Sequence, residues 1–321
     1  MLSLPLILEA ASSIHGAIRR TPLEESPILS ELVGVPVWLK LENEQITGSF
    51  KARGALFSLL KAKEEGLSHV ATCSAGNHGK GVAWAASRLG MTATIFVPSG
   101  VDSTKYAGMV GSGADVRKSV FPGYDDTERW AKNESIRLKI PFISAFDDYR
   151  VMAANGGTVA MEIFEELPSL EMLVLPVGGG GLSAGAAFFM KEKKPDCQVV
   201  VCQHEGSPAF QRSIEAGKPV LEMPAIETLA SGLEGGFGRL TFEVLKERYD
   251  RIELISEAEI RKAMVWTIEN HQLIIEGSSA VTIAACLRPD FDKPRGPIVL
   301  VVSGRNVAAA TIVQVLHGDR F

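Results

Sequence analysis

Three features of the sequence predict an α/β protein with mostly parallel sheets. Short apolar runs alternate with stretches of helical length along nearly the whole chain. Most of those runs are apolar at every position, which suits strands covered on both faces by helices. At several places such a run ends in a glycine-punctuated turn that opens directly into a helix.

Taken in order, His69–Cys73 reads as a strand, and after the turn Ser74–His78 a helix runs through Leu89. Thr92–Val97 reads as the next strand, closed by Pro98–Gly100. Ala114–Val120, Met172–Val177, Gln198–Cys202 and Ile298–Ser303 continue the strands, and Leu182–Lys194 has helical character. Lys61–Glu65 and Lys191–Lys194 read as solvated helix faces. No internal repeat, low-complexity tract or Pro/Ser-rich linker marks a domain boundary.

A chain of 321 residues has room for a large core and two lobes. Its net charge of -5 argues against a nucleic-acid partner, which needs clustered excess Lys and Arg. No apolar segment reaches the roughly 20 residues that span a bilayer, so no membrane partner is expected. Met1–Ala11 is apolar, carries Glu9 and lacks a basic leader, so no signal peptide is expected. Cys73, Cys197, Cys202 and Cys286 are scattered without a C-x-x-C pair, the pattern of reduced thiols in a cytoplasmic protein.

Four segments carry candidate chemistry. In Thr47-Gly48-Ser49-Phe50-Lys51-Ala52-Arg53-Gly54 a turn feeds a helix, with Lys51 at its start. Burial and the positive end of the helix dipole there favour the neutral amine that attacks an aldehyde. The alternative is a surface lysine in a first turn. Cys73-Ser74-Ala75-Gly76-Asn77-His78-Gly79 is a polar turn after a strand, suited to an oxyanion or to plain helix capping.

Gly178-Gly179-Gly180-Gly181 lies between a strand and a helix, where bare amides and the helix dipole converge on a phosphate-bearing ligand. Gly179, Gly181 and Ala184 also fit G-x-G-x-x-A, with Glu205 near the place of a ribose-binding acid. That leaves an NAD-binding oxidoreductase as a rival reading. Val302-Ser303-Gly304-Arg305-Asn306 ends the last apolar run, putting a hydroxyl at the crevice end of a parallel strand.

Together and in this order, these segments resemble the fold-type II pyridoxal-phosphate enzymes of the tryptophan-synthase β fold. The similarity is to the threonine/serine dehydratase and serine racemase group. It extends from Arg20-Thr21-Pro22-Leu23 through Lys40-Leu41-Glu42, Ser-Phe-Lys-x-Arg-Gly, Ser-Ala-Gly-Asn-His and Gly-Gly-Gly-Gly-Leu to Val307.

The resemblance implies that the cofactor is pyridoxal 5'-phosphate, held covalently by Lys51, which afterwards moves protons. Phe50 would pack near the pyridine ring, Asn77 would hydrogen-bond its phenolic oxygen, and Ser303 would meet its nitrogen. The amides of Gly178, Gly179, Gly180, Gly181 and Leu182 would hold the phosphate. Ser74, Ala75, Gly76, Asn77 and His78 would receive the substrate carboxylate. It further implies a large cofactor-binding domain of residues 1–66 plus 146–321, a small domain of residues 67–145 closing over the substrate, and a homodimer or larger.

The activity implied is β-elimination from L-threonine or L-serine, giving a 2-oxo acid and ammonia. Racemases of the group carry a second serine where this chain has Ala75, which has no proton to give, so a lyase is expected over a racemase. A catalytically silent cofactor-binding protein is the further alternative. After Val307 no regulatory domain of ACT type is expected.

Departures from the group's pattern bear on the substrate. They fall at Ala154-Asn155-Gly156-Gly157-Thr158, at Thr228-Leu229-Ala230-Ser231-Gly232 followed by Leu233-Glu234-Gly235-Gly236, and at Arg305. Arg305 near the cofactor suggests a clamp for a second acidic group. The substrate would then be a less common or acidic β-hydroxy amino acid, such as 3-hydroxyaspartate or a hydroxyectoine-derived compound; a solvent-facing arginine is the alternative. Glu205 and Ala209 match two members of a divalent-metal site found in part of the group. The third position carries Gln211, so no metal is expected.

Overall fold

The computed structural model describes residues 1–74, 76–101 and 103–318, with the side chains of all of these except 103 and 104. Among them nine strands run in chain order: β1 (Leu23–Glu25), β2 (Val37–Leu41), β3 (His69–Cys73), β4 (Thr92–Val97), β5 (Asp115–Lys118), β6 (Met172–Pro176), β7 (Gln198–His204), β8 (Arg251–Ile255) and β9 (Ile298–Val302). They form a six-stranded sheet, β1-β2-β9-β6-β7-β8, and a three-stranded sheet, β3-β4-β5. Every pairing is parallel except that of the edge strand β1 with β2. The expected α/β class with mostly parallel sheets is what the chain adopts.

The apolar runs forecast the buried strands well, because β6 and β9 are buried at every residue. β5 is the exception. It is shorter than the expected Ala114–Val120, and its residues are exposed or only partly buried. It is an edge strand carrying Arg117 and Lys118, and charges of that kind discourage edge-to-edge pairing. Among the described residues no helix is long and apolar enough to cross a membrane.

β9 comes late in the sequence yet lies between β2 and β6. That insertion brings the turn after β9 beside the segment leading into the helix Lys51–Glu64: Phe50 N–H donates to Ser303 O at 3.2 Å, and Ser49 bridges to Gly304. Two distant stretches of chain thus share one end of the large sheet.

The helix Lys51–Glu64 is held there by a buried ionic network. The Arg53 guanidinium, fully buried, donates to both oxygens of Glu42 at 2.9 and 2.7 Å and to both oxygens of Glu162 at 2.6 and 2.9 Å. Lys40, also fully buried, donates to Glu162 Oε2 at 2.7 Å and to the Thr21 carbonyl at 2.7 Å. Thr21 Oγ1 donates to Glu42 Oε1 at 2.5 Å. Burial opposes the charge of Glu162, yet Arg53 and Lys40 hold its carboxyl below the ordinary range.

Behind the same helix, a π-helical segment, Ala153–Gly157, presents Asn155, whose Oδ1 accepts the Gly54 amide at 2.8 Å. The unusual stretch 154–158 therefore supports the helix rather than the substrate.

Removing one carboxylate from this network leaves a buried charge uncompensated. Glu162→Ala should cost about 3–5 kcal/mol. Urea unfolding followed by circular dichroism checks this, and a loss under 1 kcal/mol would show that the network does not constrain the fold.

Candidate active site

A cleft of about 530 Å³ opens where the two sheets meet. It is lined by residues from the Lys51 segment, the 74–78 turn, the glycine run, residues 231–236, Glu276 and Ser303. The segments singled out from sequence are thus gathered in one place.

Lys51 is the first residue of its helix, and its Nζ donates to the Ala145 carbonyl at 2.8 Å and sits 5.2 Å from the centre of the Phe50 ring. Burial lowers its pKa to about 8, with the Glu276 carboxylate pulling the other way. At pH 7 that raises the neutral fraction from roughly one in 3,000 to roughly one in ten. A neutral amine is the nucleophilic form.

The glycine run is shaped by what surrounds it. Gly180 has φ of 95°, a left-handed conformation that favours glycine. A Cβ on Gly178 would collide with the Gly232 carbonyl, one on Gly179 with the Phe146 ring, and one on Gly180 would lie 2.5 Å from Phe237 Cζ. Thr241 Oγ1 fastens the loop by donating to Gly179 O at 2.8 Å. The helix Gly181–Lys193 begins here, with Ala184 N–H donating to Gly180 O at 2.8 Å. Among the described residues, the amides of Gly178 to Ser183 have no acceptor in the chain. They line the cleft as a set of unused donors at a helix N-terminus, the makings of an anion site.

On the opposite side, Asn77 opens the helix Asn77–Leu89. Its Nδ2 donates to Glu276 Oε1 at 2.6 Å and its Oδ1 accepts from Asn306 Nδ2 at 2.6 Å. His78 is buried, and burial followed by the nearby Lys51 charge pushes its pKa down to about 3, so the ring is neutral. Ser74 lines the cleft with its Oγ accepting the Gly76 amide at 3.1 Å. Ala75 lies outside the described residues.

Ser303 lies just beyond β9, with its Oγ 3.0 Å from the Oγ of buried Ser279. Ser279 in turn accepts the Gly304 amide at 2.7 Å and donates to the Gly304 carbonyl at 2.8 Å.

Arg305 is not brought to the cleft. Its main-chain amide is tied to Gly48 O at 2.9 Å, and its exposed side chain pairs with Glu44 at 3.1 Å. The second acidic group imagined for it has no place beside it there. Glu205 is exposed in the turn after β7, and Ala209 is buried at the start of a helix. Neither lines the cleft, and among the described residues no cluster of three or more His, Cys, Asp or Glu stands ready to hold a metal.

Sequence reasoning missed Glu276 and gave Glu234 no role beyond its place in a departure from the group's pattern. Burial pushes Glu276 up to about 7, against the pull of Lys105, the Asn77 hydrogen bond, the Asn306 amide and Lys80. Burial also pushes Glu234 up to about 7, against Lys105. Glu276 stands in no recognisable motif, and it is the shared cleft that gives both residues a place in the site.

The comparisons agree with this geometry. Residues 14–304 match the model of the family described as pyridoxal-phosphate dependent enzyme. The L-threonine ammonia-lyase of Geobacter sulfurreducens is 36% identical over 321 residues, covering 99% of this chain and 79% of that one. The serine racemase of Dictyostelium discoideum is 34% identical, covering 97% of each chain. Its crystal structure superposes with a TM-score of 0.87 over 96% of this chain and 99% of that one. The processed threonine deaminase isoform 2 of Solanum lycopersicum gives a TM-score of 0.89 at 29% identity, over 98% of this chain and 87% of that one.

The lysine's lowered pKa has a direct consequence. Acylation of Lys51 in the cofactor-free protein should speed up about tenfold per pH unit up to pH 8 and level off above it, because only the neutral amine reacts. Peptide mass spectrometry of protein labelled across pH 6–10 follows it. A rate still climbing tenfold per unit at pH 9 would refute the lowered value.

Proposed function

The chain belongs to the pyridoxal-phosphate-dependent enzymes, and from that premise we propose that it is an ammonia-lyase. It eliminates water from a β-hydroxy amino acid such as L-threonine or L-serine; the enamine released then takes up a water, giving a 2-oxo acid and ammonia with no net loss of water. The observation that carries this reading is one cleft holding both a lysine biased towards its neutral amine and a row of unused amides at a helix N-terminus.

The residues present fit the cofactor. Gly178, Gly179, Gly180, Gly181 and Leu182 offer N–H groups to its phosphate, and a Cβ at Gly178, Gly179 or Gly180 would collide with the cleft's own walls. Lys51 would hold it covalently, Phe50 would pack beside its ring, Asn77 would meet its phenolic oxygen and Ser303 its ring nitrogen. When bound, pyridoxal phosphate supplies an electron sink for the bond broken at the substrate Cα.

The rest follows from the chain's own groups. Ser74, Gly76, Asn77 and His78 receive the substrate carboxylate, with Ala75 in the same turn. Lys51 Nζ accepts the α-proton. Glu234 lines the same cleft, and burial raises its pKa to about 7, so it can supply the proton that a departing hydroxyl needs. Ser303 carries no charge, so it would not draw a proton onto the ring nitrogen as a carboxylate would, and that would favour loss of the β-substituent. Ala75 offers no second acid–base group, which favours elimination over racemisation.

The small lobe comprises residues 67–145 and the large lobe residues 1–66 with 146–321. All three strands of the small sheet fall inside the first range, and all six strands of the large sheet fall outside it. Four free, buried cysteines suit a reducing cytoplasm. Self-association as a homodimer completes the reading, supported by the resemblance.

Purified protein supplied with pyridoxal phosphate should be yellow and release 2-oxo acid from one or more of a panel of β-hydroxy amino acids, with threonine and serine first. Lys51→Ala should lower kcat about a thousandfold or more. A colourless protein, or no 2-oxo acid across the panel, sinks the proposal. Because Glu234 must be protonated to act, kcat/KM should fall as pH rises through about 7. Glu234→Gln should abolish that alkaline limb, and a limb of unchanged position would remove Glu234 from the reaction.

A further inference from the structure

Asn77 and Asn306 are joined amide to amide, and the join has a single polarity. Lys80 Nζ donates to Asn306 Oδ1 at 2.6 Å. An ammonium has only hydrogens to offer, so Asn306 must turn its oxygen towards Lys80. Asn306 Nδ2 then donates to the Thr47 carbonyl at 2.9 Å and to Asn77 Oδ1 at 2.6 Å, which uses both of its hydrogens. With its oxygen committed, Asn77 points Nδ2 the other way, giving one hydrogen to Glu276 Oε1 at 2.6 Å. The second hydrogen has no acceptor among the described residues, and Asn77 lines the cleft.

We propose that Lys80, Asn306 and Glu276 form a positioning chain that locks the Asn77 amide in one orientation, so that its spare N–H faces the bound cofactor. The proposal rests on the function put forward above. An untethered asparagine amide can turn over at little cost and would then set its carbonyl against an oxygen anion. Here the turned-over state is penalised: oxygen would meet oxygen between the two asparagines, and wherever Glu276 is ionised the Asn77 oxygen would also meet its carboxylate. The chain runs from an ammonium to the Glu276 carboxyl group with both amide dipoles aligned head to tail, an arrangement in which each bond strengthens its neighbours.

The geometry behind the chain is firm. Asn77 and Lys80 stand three residues apart on one helix and so share a face. Glu276 is walled in by Gly304, where a Cβ would lie 2.5 Å from Glu276 Oε1.

The decisive variants sit at Lys80. Lys80→Gln loses the charge but keeps an N–H donor for Asn306. Lys80→Met loses both. Lys80→Glu offers only acceptors and should reverse Asn306 and, through it, Asn77. Cofactor affinity and the absorption spectrum of the bound cofactor are measured in each, alongside the melting temperature of the cofactor-free protein.

Lys80→Gln should stay within about twofold of the native Kd, while Lys80→Met should weaken it about tenfold and Lys80→Glu more, since a hydrogen bond to a charged group is at stake. The two impaired variants should also shift the absorption band, with melting temperatures unchanged. Equal losses in Lys80→Gln and Lys80→Met would mean that charge alone matters and would overturn the proposal. Native-like affinity and spectra in all three would overturn it as well. Should Lys80→Glu fail to fold, the Gln–Met pair still decides. Failure of the native protein itself to bind pyridoxal phosphate would instead count against the underlying functional reading.

Discussion

The position of the Lys51 amine depends on a guanidinium two residues further along the helix. Arg53 is buried with a carboxylate gripping it from each side, and those carboxylates come from separate parts of the fold. Glu42 follows β2, and Glu162 lies in the helix Thr158–Glu166. A buried network of this kind adds little net stability over an apolar core of equal volume. It gives direction, because the planar fork accepts carboxylates only at set angles. The first turn of the Lys51 helix therefore cannot slide or rotate without separating charges in a region water does not reach.

With that helix fixed, the rest of the site follows from the order of strands in the large sheet. β9 lies between β2 and β6, so the turn after β9 delivers Ser303 and the loop after β6 delivers the glycine run to the same end. The helix Asn77–Leu89 then packs directly on the Lys51 helix: a Cβ at Gly81 would lie 3.1 Å from the Lys51 carbonyl and 3.2 Å from Ala55 Cβ. Two glycines of different kinds are at work here. Gly180 supplies a left-handed turn, and Gly81 supplies room for two helices to touch.

Strands and motifs were legible in the sequence because both are local. β3 and β4 have the bounds read from their apolar runs, and Lys51, the 74–78 turn, the glycines and Ser303 meet as the motif order implied. Thr21, Lys40, Glu42 and Arg53 were legible only as fragments of a family pattern; their physical reason is a network closed by Glu162, whose contact with Arg53 spans 109 positions. Asn77 and Glu276 are 199 positions apart, and nothing local to Glu276 announces the pairing. Arg305 misled for the same reason in reverse. Two positions from Ser303, it looked close to the cofactor, but a main-chain bond to Gly48 and the pull of Glu44 keep it at the surface. Closeness in sequence says little about where a side chain goes once the chain leaves a strand.

The two sheets are not equally independent. Val70 of β3 and Val82, Ala85 and Ala86 of the helix Asn77–Leu89 belong to the same apolar core as Ala55, Leu56 and Leu59 of the Lys51 helix and Leu175 of β6. Ile95 and Val97 of β4 pack instead with Met109 in a separate small cluster, and Ala71, Phe96 and Ala131 form another. The small sheet thus shares a dry core with the large one along the side that carries Asn77, while residues 98–126 meet the large lobe through polar bonds, the Asp125 carboxylate accepting the amides of Met223 and Gly236 at 3.0 and 3.2 Å. Asn77 and Lys51 sit on two helices sharing one dry interface, so moving one means moving the other. The cleft residues contributed by 98–126 have no such bond to the amine. The cleft therefore has two kinds of wall, one fixed by apolar packing between helices and one held by hydrogen bonds.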